Sequence, residues 1–198
     1  NVDDERRKMK QEEIIKNLHG CLDIALFMPM GSKRFSKTYD AAIRSFLIPL
    51  FLFPLTLIAV YVSPIPAFEN DSANTIAMLY SLRTAASWFL FFALIYWITG
   101  HVDRREHFYQ FVVATNWITV PATIVFLPVV LMVFNGSMSW NEVYAFSLCL
   151  MGYSYAFTAY MASRILRIPI ELGGFISMCS FMIHNGTSDI MIWVGQIL

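Results

Sequence analysis

Four polar side chains lie inside long apolar runs and are the residues best placed to do chemistry: Arg83, Asn116, His184 and Asp189. A guanidinium near a bilayer centre costs about 2.5–3.5 kcal/mol on insertion scales, so it must find a partner or reach the surface. Asp189 is the expected partner of Arg83, because both belong to the outer half of the chain's spans. The pair would clamp one helix against another. Two other arrangements compete: Arg83 reaches outward to headgroups, or it lines a polar path with Asn116, His184 and Asp189. Asn116, in "VATNWITVP", is expected to hydrogen-bond a neighbouring helix.

Other chemistries find less support. His101, Asp103, Glu106 and His107 share the loop "GHVDRREH" but show no HExxH, CxxC or other rigid ligand spacing, so a solvated loop is expected and no metal. There is no glycine-rich phosphate loop and no G-x-S-x-G, so no cofactor is expected and the chain reads as non-catalytic. Cys21, Cys149 and Cys179 lack ligand spacing, and the last two fall in apolar runs as buried free thiols. Tyr144, Tyr153, Tyr155 and Tyr160 are expected to be interface-belt and packing residues. N-x-[ST] sequons at Asn70, Asn135 and Asn185 all fall to the expected outer side.

The elements that position these residues follow from composition. The hydrophobic fraction is 57% and the charged fraction 14%, against roughly 45–50% and 25% in soluble domains. A water-soluble core of this size could not hide that excess. The apolar residues cluster at about 43–63, 76–99, 108–134, 142–163 and 168–194, each near the roughly 20 residues that cross a bilayer. The expectation is an all-α, polytopic bundle of about five transmembrane helices over residues 41–198. A cytoplasmic segment, 1–40, precedes it. No internal repeat is visible, and no second soluble domain.

Charge sets the orientation. Every lysine and arginine except Arg83 lies before the first span, in the loop at Arg104 and Arg105, or at Arg164 and Arg167. These are alternate connections, so the positive-inside rule puts the N-terminus in the cytoplasm and the C-terminus opposite. The formal net charge is zero, and no nucleic-acid partner is expected. Residues 1–13 are densely charged and lack a signal-peptide cleavage pattern.

Between about 10 and 30, Ile14, Ile15, Leu18, Cys21, Leu22, Ala25 and Leu26 recur with helical period, ahead of Pro29 and Gly31. This predicts an amphipathic helix lying in the cytoplasmic interface or packed across the bundle. Lys33, Arg34 and Lys37 follow it, beside Phe35 and Tyr39, as a surface for anionic headgroups or a partner. Prolines Pro49, Pro54, Pro121 and Pro128 fall inside spans, where they tend to kink helices. In the fifth segment, "HNGTSD" interrupts the apolar run. The favoured reading takes the helix out of the membrane at His184; the other shifts the span to Leu172–Val194 and places His184, Asn185 and Asp189 at depth, in a broken helix.

The layout resembles the Yip domain family: five spans, "FSKTYDAAIRSFLIPLFLFPL" entering the first, and a short basic loop before "FYQFVVATNW". It also resembles uncharacterised bacterial inner-membrane proteins of similar layout. The resemblance covers about residues 35–195 and carries over no site residue. It implies a non-catalytic role through contacts with other membrane proteins, as eukaryotic Yip proteins bind small GTPases and membrane partners in vesicle traffic. The first functional expectation is therefore an accessory or membrane-organising protein that contacts lipid and other membrane proteins or itself. The alternative is a small transporter or channel with Arg83, Asn116, His184 and Asp189 on its path. A bacterial inner membrane fits better than a eukaryotic endomembrane.

Overall fold

The computed structural model describes residues 2–62 and 72–197, and among these every regular element is a helix. Most of the expected outer loop at 64–75, with its sequon at Asn70, lies outside the described residues. The helices are α1 (Val2–Ala25), α2 (Tyr39–Ser45), α3 (Leu47–Val62), α4 (Ala73–His101), α5 (Phe108–Phe134), α6 (Trp140–Leu166) and α7 (Ile170–Gly195). Three stretches are long and apolar enough to cross a membrane: Tyr39–Ile58, Ala73–His101 and Arg105–Val133. Helices α6 and α7 have the length, 27 and 26 residues, but are more polar.

Local chemistry accounts for the boundaries. Ser139 and Glu142 form a reciprocal capping box at the start of α6, as the S-x-x-E spacing requires. Thr38 accepts from the Ala41 amide to open α2, and Ser72 from the Thr75 amide to open α4. Pro49 has no N–H to return to Ser45, and the break between α2 and α3 falls at Phe46. Pro54, Pro121 and Pro128 are carried inside helices that continue through them.

Helices α1, α4 and α6 end alike, with Phe27, Asp103 and Arg167 in the left-handed region at φ 58°, 54° and 55°. In α1 the Met28 amide returns to the Asp23 carbonyl and the Phe27 amide to Ile24, which closes the helix before Pro29. These turns gather at one end of the bundle. There Arg104 donates to the Arg167 carbonyl at 3.5 Å, and Lys37 and Arg167 lie within electrostatic reach of His107. The basic connections expected on one side thus meet in space.

The main core sits at this basic end. It joins Cys21, Ile24 and Phe35 to Ile95 and Ile98 of α4, Phe111–Ala114 of α5, and Ile165 and Leu166 of α6. The buried face of α1 is Asn17, Gly20, Cys21 and Ile24, whereas Ile14, Ile15, Leu22 and Leu26 of the expected stripe are exposed. Packing against α5 and α6 selects the face with small residues, and the bulkier aliphatics turn outward. Burial also pushes the Cys21 thiol from 9.0 up to about 12. Gly31 folds back so tightly that a Cβ would lie 2.8 Å from the Gly20 carbonyl oxygen. Tyr153 and Tyr160 donate to the Ala25 and Phe27 carbonyls, so these tyrosines of α6 hold the end of α1. Elsewhere large apolar side chains face outward, Phe51 at 84% exposed and Phe89 at 73% among them.

The seventh helix is continuous through the fifth segment: it does not break at "HNGTSD" but runs on to Gly195, so the broken helix expected of the shifted span does not form. Its polar residues are satisfied without unwinding: Thr187 donates to the Ile183 carbonyl and Ser188 to that of His184, both within one turn. Asn185 consequently lies within a helix and not in a loop.

Candidate functional site

Helices α4 and α7 pack antiparallel along a seam with a polar middle. Leu79 clusters with Met191 at the end away from the basic turns, and the Ser87 and Thr187 hydroxyls meet at 2.7 Å nearer to them. On α7 the residues of this seam are His184, Thr187 and Met191, spaced three and four apart on one helical face. Asp189 falls two residues off that face and is exposed. No ion pair joins it to Arg83. The expected Arg83–Asp189 clamp is therefore absent.

Arg83 turns instead to His184. Its Nη2 lies 2.8 Å from Nε2 and 3.0 Å from Nδ1 of the ring, and 3.4 Å from the His184 carbonyl oxygen. The Tyr80 ring lies 5.4 Å from the guanidinium carbon. The register of the seam puts the Arg83 backbone level with the turn after Thr187, yet its side chain reaches His184, roughly one turn nearer the basic end.

The two side chains line a cavity of about 380 Å³ between α4, α5, α6 and α7. Hydroxyls from each helix face it: Thr84 and Ser87, Thr115, Ser154 and Thr158, and Ser180. Its apolar wall includes Trp88, Ile118 and Ile183, and its floor is Phe91, Phe157 and Met161, which belong to or pack on the core at the basic end. The cavity is thus closed toward that end. Two buried polar atoms here have no hydrogen-bond partner, Arg83 Nε and Thr115 Oγ1. Buried orphans are rare in folded proteins and mark places where water or a ligand belongs. Among the described residues no carboxylate lines the cavity, and every partner of the Arg83 cation is neutral.

The remaining expected site residues lie elsewhere. Asn116 is buried and donates to Ser45 Oγ at 2.8 Å, tying α5 to α2. The four-residue polar path therefore does not form; Arg83 and His184 alone of the four share the cavity. Arg34 is committed to Asp23 through an Nε–Oδ2 contact of 2.6 Å, while Lys33 and Lys37 are exposed. At the end of α4, His101 engages the Trp97 carbonyl through Nδ1, and before α5 His107 is buried with Nε2 3.4 Å from Glu106. The cavity hydroxyls were not singled out from sequence. A signal was present: Tyr80, Arg83, Thr84 and Ser87 on α4, and Ser180, His184 and Thr187 on α7, follow helical spacing. Compared with protein-family models, curated proteins and solved structures, the chain matches none.

Proposed function

We propose that this chain is a five-span membrane protein, N-terminus cytoplasmic and C-terminus opposite, that binds a small anion within its bundle as a step in carrying it across the membrane. The observation that supports this reading is the uncompensated charge of Arg83. A guanidinium inside a bundle, held only by neutral groups and with a free Nε–H, creates a positive potential in a medium that screens it poorly. An arriving anion gains that attraction without first displacing a carboxylate. Closure toward the basic end and a hydroxyl-lined interior suit a site reached from the outer side. The exposed apolar residues of α6 and α7, such as Met178 at 63% and Trp193 at 63%, fit the five-span reading. The protein-docking alternative instead places its contacts on the N-terminal helix and on Lys33, Arg34 and Lys37.

The test is current from proteoliposomes on a supported membrane after rapid exchange of sodium salts. Stepping from gluconate to acetate or nitrate should give a transient that Arg83→Gln removes, and exchange of sodium for potassium should give none. Equal transients from the variant and the parent protein would overturn the proposal.

A further inference from the structure

Resting on that reading of the site, the geometry points to the class of anion: we propose that the cavity takes a small monocarboxylate with an apolar body. Three observations converge on this ligand. The first is charge. Arg83 is the one charged side chain lining the cavity among the described residues. A monoanion brings the site to neutrality, whereas phosphate or sulfate as a dianion would leave a net negative charge in a low-dielectric interior. The second is size. About 380 Å³ is far more than a bare halide fills, and it falls within the roughly 300–1,000 Å³ of small-molecule sites.

The third is the division of the wall. Arg83 Nε and Thr115 Oγ1 both lack a partner, which leaves two donors for a carboxylate whose two oxygens offer about four lone-pair sites. Opposite chemistry completes the enclosure: Trp88, Phe91, Ile118, Phe157 and Met161 offer carbon and no hydrogen bonds to a ligand's remainder, save the single indole N–H. A heavily hydroxylated or second-charged body would be left unpaired against those side chains. The head is thus read by Arg83 and Thr115, and the body by the aromatic floor.

Calorimetric titration of the full chain in detergent micelles tests this with benzoate, its neutral isostere benzamide, and inorganic phosphate. Benzoate should bind, benzamide at least about ten-fold more weakly, and phosphate more weakly than either. Arg83→Gln should lower benzoate affinity by about ten-fold or more. Thr115→Val, which keeps the shape and removes an orphaned hydroxyl, should lower it several-fold without lowering the thermal midpoint of the empty protein. Equal binding of benzamide and benzoate, or benzoate affinity unmoved in both variants, would overturn the proposal. Phosphate binding more tightly than benzoate, and lost with Arg83→Gln, would overturn the ligand class yet leave an anion site standing. If neither anion binds the parent protein, the anion-site reading falls with it.

Discussion

A single asparagine shows how polar residues in this bundle divide into structural and chemical ones. Asn116 and Arg83 look alike in sequence, each a polar interruption in an apolar run. Asn116 finds Ser45 across the α5–α2 contact, and Ser45 in turn donates to the Ala42 carbonyl at 2.7 Å. That relay commits the Asn116 amide N–H to the α2 contact and away from the cavity. Asn116→Ala should therefore cost stability in the range of interhelical side-chain bonds, about 0.6–2 kcal/mol, while leaving anion currents intact. Thermal unfolding in detergent beside the proteoliposome assay reads both. Lost current in a protein of normal stability would place Asn116 in the site after all. Sequence made Asn116's role legible, since an amide more than two turns into a span has few options besides a neighbouring helix. It did not make Arg83's partner legible. Choosing Asp189 rested on opposite charge and similar depth, whereas the choice is made by the face of α7 that meets α4, which depends on how two distant helices rotate against each other.

At the level of elements, close approach of backbones explains what apolar content alone does not. Helices α6 and α7 form the most extensive helix pair among the described residues, yet neither is among the stretches apolar enough to cross a membrane by composition. Gly173 lets them come together: a Cβ there would lie 2.4 Å from the Ala159 carbonyl oxygen, a backbone atom that cannot swing aside. Ser177, four residues along, donates to the Tyr155 carbonyl at 2.8 Å on the same seam. Small residues at such spacing are the usual means of tight helix packing in membranes, where burial against lipid gives little driving force. Gly173→Ala should therefore force the pair apart and cost roughly 1–3 kcal/mol, as overpacking does. Gly174→Ala, whose Cβ would meet nothing within 4 Å, is the matched control and should be neutral or slightly stabilising. Equal midpoints for the two variants would show that the α6–α7 approach is softer than the geometry indicates. Helix existence was readable from hydrophobic runs and caps, and α6 began at its S-x-x-E signal. The continuity of α7 was not readable, because "HNGTSD" resembles a loop until its hydroxyls are seen bonding back to their own helix.

The whole molecule is asymmetric along its length. Its basic end is packed, with α1 tucked beneath α5 and α6 and held by Tyr153 and Tyr160; the other half opens into the Arg83 cavity. This asymmetry bears on orientation. The connections bearing Lys37, Arg104 and Arg167 converge at the packed end, and positive loops favour the cytoplasm. The cavity should then face outward, provided that the less apolar α6 and α7 truly cross. Cysteine labelling decides this in a background freed of the native cysteines. Lys37→Cys, Ser137→Cys and Gln196→Cys each replace an exposed residue, at the basic end, at the α5–α6 turn and just beyond α7. In sealed right-side-out vesicles, an impermeant maleimide should label the second and third and spare the first. Labelling of Ser137→Cys alone would put the end of α7 back on the cytoplasmic side, so α7 would enter without crossing and Arg83 would lose the outward route. Labelling of Lys37→Cys alone would invert the molecule, and the cavity would then collect its anion from the cytoplasm.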